Sequence, residues 1–167
     1  MIEVTLILDR LRSAHNVGNI FRLAELCQVR EVITCGYTAA PPHPKLAKTA
    51  RGCETLVSTR RCETAAQAVS EVQAAGVTVL AVETGPGSQL IWEAPLTAPC
   101  AFVLGNEALG VSAEVLACCD GVVRLPVFGF KNSLNVGNCA AVILYECIRR
   151  WSPVEPPRND QDQEREA

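Results

Sequence analysis

The side chains best suited to chemistry lie in three short polar segments, and the first of these carries an arginine. This segment, RSAHNVGNIFR, covers residues 12–22, and Arg22 stands six residues after Asn16. Arginines on helices usually face solvent, but Phe21 and Leu23 on either side of Arg22 predict its partial burial. A partly buried guanidinium requires an anionic or polar partner. We therefore expect Arg22 to face such a partner.

The second segment is a glycine-bounded turn that carries one carboxylate. Residues 105–112 read GNEALGVS, close to the phosphate-binding pattern G-x-x-x-x-G-K-[ST], but Val111 replaces the lysine that would reach the phosphates. This replacement excludes ATP or GTP hydrolysis. No G-x-G-x-x-G follows a predicted strand, so a dinucleotide-binding fingerprint is absent. For the segment by itself, an exposed Glu107 in a turn that leads into a helix is the simpler interpretation.

The third segment, KNSLN at residues 131–135, precedes a stretch that is apolar nearly all round, VGNCAAVILYECI. Asn135 is the natural N-cap of a helix there. Ser133 and the free amides of a buried helix N-terminus would equally form a pocket for a polar ligand. Both interpretations stay open. We expect this helix to be buried, and Gly137 and Cys139 would let another backbone approach it closely.

Strand-like and helix-like patterns alternate along most of the chain. The predicted strands cover residues 2–8, 31–35, 56–58, 77–82, 101–104 and 122–125. The predicted helices cover residues 17–29 with Asn16 as N-cap, a short stretch from Pro44 to Gly52, and residues 64–75, 112–117 and 135–151. This alternation predicts one α/β domain over residues 1–151, with a mostly parallel sheet covered by helices on both faces. Ligands of such sheets bind at the carboxyl ends of the strands, where all three polar segments are predicted to lie.

Composition narrows the class of protein further. The 167 residues are 49% hydrophobic and 20% charged, which suits one globular domain and excludes wholesale disorder. No apolar run approaches the roughly 18 residues of a membrane-spanning helix, and the N-terminus lacks a secretory signal. Nine cysteines without a CxxC pair or a zinc-ligand spacing predict reduced thiols in a cytoplasmic protein without a metal site.

Charge is unevenly distributed along the chain. Residues 1–61 hold nine Lys or Arg against five Asp or Glu, giving +4, whereas residues 62–151 hold four against eight, giving −4. The polar stretch 152–167 holds two against five, giving −3, and is predicted to be a disordered acidic tail. A polyanion would therefore dock on the first third of the chain. Three basic residues recur there every three positions and suit either a row of phosphate contacts or an ordinary surface: Lys45, Lys48 and Arg51.

Together and in this order, the three segments resemble the motifs of the SpoU (TrmH-like) branch of the SPOUT RNA methyltransferases. The matching stretches are RSAHNVGNIFRLAE (12–25), FVLGNEALGVS (102–112) and LPVFGFKNSLNVGNCAAVILYE (125–146). Residues 35–54 resemble the linker of the compact members of that branch, so the resemblance covers nearly the whole chain except the tail. The chain departs from many relatives at residues 137–139, where Gly-Asn-Cys stands for Ser-Val-Ala or similar residues, which concerns the packing of the last helix.

The resemblance implies transfer of a methyl group from S-adenosylmethionine to a ribose 2′-hydroxyl of RNA. It also implies a SPOUT fold with a deep C-terminal trefoil knot, and a homodimer in which the first motif of one subunit faces the second and third motifs of its partner. Because the first strand begins at residue 2, we expect no appended RNA-binding domain, which favours tRNA over rRNA as the substrate. Two alternatives stay open: a catalytically silent RNA-binding or assembly module with this fold, and an α/β enzyme acting on a small molecule.

Carried onto this sequence, the resemblance assigns roles to residues of all three segments. The expected catalytic residues are Asn16, Arg22, Glu107, Ser133 and Asn135. The expected cofactor contacts are Val82, Glu83, Leu104, Gly105, Leu125, Pro126, Ser133 and Leu134. The expected RNA contacts are Arg12, Lys45, Lys48 and Arg51. Because the pKa of a guanidinium lies above ~12, we expect Arg22 to stabilise developing alkoxide charge rather than to act as the base.

Overall fold

Seven strands form the sheet of the protein in the computed structural model, which describes residues 2–130 and 133–152. The strands are Ile2–Asp9 (β1), Val29–Cys35 (β2), Thr59–Cys62 (β3), Thr78–Val82 (β4), Gln89–Leu90 (β5), Cys100–Leu104 (β6) and Gly121–Arg124 (β7). They lie in the order β3-β2-β1-β6-β4-β7-β5, and the pairings between these strands are parallel. Seven of the eight residues of β1 and all five of β6 are buried, as is typical of central strands covered on both faces.

Helices cover both faces of this sheet, as the sequence predicts. They are Ala14–Leu26 (α1), Pro44–Ala50 (α2), Ala65–Ala74 (α3), Ala113–Cys118 (α4) and Val136–Trp151 (α5). One core packs α1, α2 and α5 on one face, with Leu6 and Phe102 from the sheet, and a second core packs α3 and α4 on the other, with Ile7 and Val103. Neighbouring residues of a strand therefore serve opposite cores, because their side chains alternate between the faces.

One strand prediction was wrong, and one strand was missed. Residues 56–58 do not form a strand: they follow the 3-10 turn Cys53–Thr55, Leu56 is exposed, and β3 begins only at Thr59. The edge strand β5 has two residues, which is too short for any alternating pattern to indicate it.

The first helix begins earlier than predicted. Ser13, not Asn16, is the N-cap of α1, and its side chain accepts a hydrogen bond from the backbone amide of Asn16. The predicted N-caps Ser112 of α4 and Asn135 of α5 are confirmed, and so is Pro44 in the first turn of α2. Asn16 therefore lies inside the first turn of α1, where its side chain is available for contacts with other segments.

The last helix is only partly buried in the chain, contrary to the prediction. One side of α5 packs on α1 and the sheet, whereas Val142 and Tyr145 are exposed to solvent. Within the described part of the chain, no helix has the length and apolar character needed to cross a membrane. The predicted acidic tail lies outside the described residues from residue 153 onward.

Candidate active site

A cavity of about 370 Å³ opens at the carboxyl ends of the central strands. The loops that follow β4, β6 and β7 form its walls, and the loop that follows β1 joins them through hydrogen bonds to Glu107. Open parallel sheets bind ligands at this edge. The three polar segments of the sequence meet here, as their predicted positions after the strands require.

Glu107 receives donors from the start of the first helix. Its carboxylate accepts hydrogen bonds from the amides of Arg12 (2.8 Å) and Ser13 (3.1 Å) and from Nδ2 of Asn16 (3.1 Å). The carboxylate thus lies at the N-terminus of α1, where the helix dipole favours negative charge. Partial burial alone raises the pKa of Glu107, but these hydrogen bonds and one from its own amide outweigh burial and lower the pKa.

Asn16 and Asn135 extend this contact to the third segment. Nδ2 of Asn135 donates to Oδ1 of Asn16 at 3.2 Å. Oδ1 of Asn135 accepts from the amides of Gly137 (2.9 Å) and Asn138 (3.4 Å), which is the capping contact at the start of α5. Asn135 therefore both caps α5 and joins the polar network, so the two interpretations of its role do not compete. We call the linked side chains Glu107, Asn16 and Asn135 the polar triad.

Asn106 holds the turn that carries Glu107, and the sequence reasoning missed it. This residue is 4% exposed, and its Nδ2 donates to the carbonyl of Arg10 (2.7 Å) and to the hydroxyl of Tyr37 (2.8 Å). Its Oδ1 accepts from the amides of Ala108 (2.9 Å) and Leu109 (3.0 Å). An asparagine between a strand end and a glycine-containing turn is the signal that indicates such a side-chain turn.

Glu83 holds the end of the same turn, at Val111, by a hydrogen bond. Its carboxylate accepts hydrogen bonds from the amides of Val111 (2.9 Å) and Thr84 (2.8 Å). Gly110 has φ +67° and lies directly against this carboxylate, so a Cβ at residue 110 would collide with Glu83. The absence of a side chain at residue 110 is therefore required both by the backbone and by the packing.

Most of the residues predicted to contact a cofactor line the cavity. These are Val82, Glu83, Leu104, Gly105, Leu125, Ser133 and Leu134. Pro126 instead lines a neighbouring cavity of about 470 Å³ formed by the loop from β7 to α5. The apolar side chains among the lining residues suit a flat aromatic ring, and a volume of this size suits a small ligand.

The structure does not bring Arg22 into this network. Its side chain is exposed in the single chain, so the prediction of partial burial was wrong, and it makes no hydrogen bond or ion pair with any described residue. The four residues predicted to contact RNA are also exposed: Arg12, Lys45, Lys48 and Arg51. Lys45 and Lys48 lie on α2, which packs on α1, and Arg51 is the C-cap of α2.

The sequence model of the SpoU rRNA Methylase family matches residues 3–145 of the chain. The chain therefore belongs to this family. The polar network joins all three segments that carry the resemblance, and the second and third segments line the cavity together with residues 82–84.

Two curated relatives and one solved structure are similar over most of the chain. The chain is 29% identical over 145 residues to the 23S rRNA (guanosine-2'-O-)-methyltransferase RlmB of Vibrio parahaemolyticus, covering 87% of this chain and 58% of that protein. It is 31% identical over 148 residues to the tRNA (guanosine(18)-2'-O)-methyltransferase of Thermus thermophilus, covering 89% of this chain and 75% of that protein. The SpoU methyltransferase AviRb of Streptomyces viridochromogenes, solved in complex with AdoMet, superposes with a TM-score of 0.80 at 26% identity, covering 87% of this chain and 59% of that one. The chain thus spans less than two thirds of the Vibrio enzyme and of AviRb.

Proposed function

We propose that the chain transfers a methyl group from S-adenosylmethionine to a ribose 2′-hydroxyl of RNA. The observation that carries this proposal is the polar triad beside the cavity, because it joins the three segments of the family at one place. The names of the relatives support the reaction, since both curated enzymes are RNA 2′-O-methyltransferases.

The cavity fits the methyl donor. Val82, Leu125 and Leu134 offer apolar surface for the adenine ring, and Gly105, which also lines the cavity, lets the backbone of Gly110 and Val111 pass close to it. Two carboxylates, Glu83 and Glu107, border the cavity and suit a cationic ligand. Bound S-adenosylmethionine supplies an activated methyl group on a sulfonium sulfur. The residues of the chain have to hold this donor in line with the acceptor hydroxyl, and such positioning lowers a barrier by about 7–11 kcal/mol.

Within this site, each member of the polar triad has a positioning role. Glu107 fixes the start of α1 to the turn after β6, and Asn16 links that turn to Asn135. Ser133 lines the cavity where the donor would bind, and Asn135 holds the start of α5 beside it. Since the donors on Glu107 are neutral amides, its negative charge is not cancelled and remains beside the cavity.

We further propose that the site is completed in a homodimer. Arg22 is exposed in the single chain and the outer side of α5 presents Val142 and Tyr145 to solvent, so both features have an explanation if a second copy packs there. In this arrangement Arg22 of one subunit faces the cavity of the other. The deep C-terminal knot expected for the family is part of the same proposal: after β7 the chain returns to pack α5 against α1 and the sheet.

Arg22 stabilises the developing alkoxide in this proposal and fixes the ribose-phosphate, while the proton passes to water or to a phosphate oxygen. A guanidinium rarely gives up its proton, because its pKa lies above ~12. Comparison of Arg22→Lys with Arg22→Ala over a pH series tests this role. Recovery of activity by the Lys variant only at high pH would indicate a base instead.

The RNA lies along the basic first third of the chain in this proposal, with Arg12, Lys45, Lys48 and Arg51 on phosphates. We favour tRNA because the Thermus relative, of which the chain covers the larger share, is a tRNA enzyme. We place the reaction in the cytoplasm, since all nine cysteines are free thiols.

Calorimetric titration of the purified chain with S-adenosylmethionine tests the proposal most directly. Binding followed by incorporation of labelled methyl groups into RNA is the expected result. No binding at millimolar concentration would contradict the proposal. Binding of RNA without any binding of the donor would instead favour the catalytically silent module.

A further inference from the structure

Two aromatic side chains are fully exposed beside the candidate active site. Phe128 and Phe130 are 96% and 101% exposed, in the loop from β7 to α5. The other two phenylalanines of the chain, Phe21 and Phe102, are fully buried. Burial of a phenylalanine ring is strongly favourable, so two solvated rings on one short loop indicate a surface that binds something.

The position of these rings ties them to the cavity of the active site. Phe128 and Phe130 line the neighbouring cavity of about 470 Å³, together with other residues of their loop. Three residues line both this cavity and the one that would hold the methyl donor: Val127, Ser133 and Leu134. The two cavities therefore adjoin each other, and a group bound against the rings lies next to the donor site.

We propose that Phe128 and Phe130 form a stacking surface for an unpaired base of the substrate RNA, at or next to the nucleotide that is methylated. This inference rests on the proposed function. Aromatic rings hold unpaired bases by stacking on their faces, and this contact does not depend on the identity of the base.

Gly129 stands between the two phenylalanines in the sequence. Apart from its two chain neighbours, a Cβ at residue 129 would meet no described atom within 4 Å, and the φ of Gly129 is not among the positive ones. Neither packing nor backbone conformation requires a glycine there. The residue between the two phenylalanines therefore adds no side chain that could compete with a base for the rings.

The rings lie apart from the outer side of α5, which is the apolar surface assigned to the second copy of the chain, although the partner's Arg22 is proposed to reach the same cavity. That surface centres on Val142 and Tyr145 of α5. Tyr145 lies nine residues beyond the start of α5, which corresponds to roughly 14 Å along the helix axis. The loop of Phe128 and Phe130 instead precedes α5 and borders the cavity. Because the acceptor ribose has to lie beside the methyl donor, RNA is the occupant favoured by position, and a second copy is an outcome for the test.

Three double variants of the full chain separate stacking from simple apolar contact: Phe128→Ala with Phe130→Ala, Phe128→Leu with Phe130→Leu, and Phe128→Tyr with Phe130→Tyr. Leucine keeps apolar area but has no ring, whereas tyrosine keeps the ring. Leu26→Ala is the matched control, since Leu26 is exposed at the end of α1, away from the loop. Each protein is measured for affinity toward unfractionated tRNA at one fixed salt concentration, for affinity toward S-adenosylmethionine, and for mass by light scattering.

We expect the alanine and leucine pairs to bind tRNA at least about ten-fold more weakly than the unaltered chain. The tyrosine pair and the control should remain within about three-fold, and donor affinity and mass should not change. The stacking proposal is overturned if the leucine pair binds tRNA as tightly as the unaltered chain. It is also overturned if the alanine pair has a lower mass, because the rings would then contact the second copy of the chain. An unaltered chain that binds the donor but no tRNA overturns this inference alone, whereas failure to bind the donor overturns the proposed function.

Discussion

Glu107 and Glu146 are carboxylates with lowered pKa values near the two ends of α5, but they are held by different kinds of donor. Glu107 is exposed, lies beside the start of α5 and accepts its hydrogen bonds from backbone amides and Asn16. Glu146 is 6% exposed and lies near the end of the helix. There it accepts hydrogen bonds from Arg149 (2.8 and 2.9 Å) and Arg150 (2.7 Å).

This difference indicates that Glu107 belongs to the candidate active site, whereas Glu146 stabilises the fold. Hydrogen bonds from Arg149, which have the largest effect, and from Arg150 lower the pKa of Glu146 to about 2, and the two cations neutralise its charge. Arg150 also donates to the carbonyls of Ile91, Trp92 and Ala94, so this cluster fastens α5 to the turn after β5. Glu107 has neutral partners, and its charge therefore remains available to a ligand that binds in the cavity. Substitution of Glu107 should therefore lower activity, and substitution of Glu146 should lower stability.

Glu107→Gln should cause the largest loss of activity. An amide group cannot accept from all three donors at once, and it removes the charge from the N-terminus of α1 and from the cavity. We expect methyl transfer to RNA to fall by about 100-fold, since small misplacements in a site of this kind have effects of that size. Incorporation of labelled methyl groups measures the rate, and a thermal melt shows whether the fold persists.

Glu114→Gln is the matched control for this change, because Glu114 is an exposed glutamate in the first turn of α4. Its activity should equal that of the unaltered chain. If Glu107→Gln keeps at least half of the activity, then Glu107 has no role in the site and the distinction between the two carboxylates fails.

Glu146→Gln should show the opposite pattern, with a loss of stability and little loss of activity per folded molecule. The variant leaves Arg149 and Arg150 without their anionic partner, and Arg150 is largely buried. We expect the free energy of unfolding to fall by about 2 kcal/mol. Urea denaturation measures this value. Arg149→Gln is the control and should have a smaller effect, because its side chain is 68% exposed.

Local features of the fold can be predicted from the sequence better than contacts between distant residues. The helices α3 and α4 and the caps Ser112 and Asn135 follow from short-range preferences, and the structure confirms them. The start of α1 does not, because Ser13 and Asn16 are equally good N-caps and local preference cannot choose between them. The contacts of Glu107 join residues more than 90 positions apart, so only the order of the parallel strands brings them together.

Arg22 shows why the burial of a helical residue cannot be predicted from an apolar neighbour in the sequence. Successive residues are about 100° apart around the helix axis, so burial of Phe21 leaves the direction of Arg22 undetermined. Asn106 was missed for another reason: its four hydrogen bonds depend on Arg10, Tyr37 and the turn in three dimensions, and its residue type alone indicates only a turn.

The pH dependence of stability should also distinguish Glu146→Gln from the unaltered chain. Glu146 has a pKa of about 2 in the folded chain, below its value when unfolded, so it stabilises the fold above roughly pH 4.5 and less as the pH falls toward 2. Glu146→Gln should therefore lose stability less steeply than the unaltered chain between pH 5 and pH 3. Urea midpoints at several pH values measure the slope. Parallel curves for the two proteins would contradict the role assigned to the ion pair.

The smallest effect should come from Tyr37→Phe. This variant tests whether the hydrogen bonds that position Glu107 extend through Asn106 to Tyr37. The variant removes the hydroxyl that accepts from Nδ2 of Asn106, while the stronger link from Asn106 to the carbonyl of Arg10 remains. Because Tyr37 is exposed, water can take the place of the lost hydroxyl, and we expect a loss of only about 0.5 kcal/mol in stability. Methyl transfer should fall by about two- to three-fold, because the turn that carries Glu107 becomes less rigid. A loss as large as that of Glu107→Gln would show that the exposed tyrosine itself contacts substrate, and no change in rate would limit the positioning network to Asn106 and the polar triad.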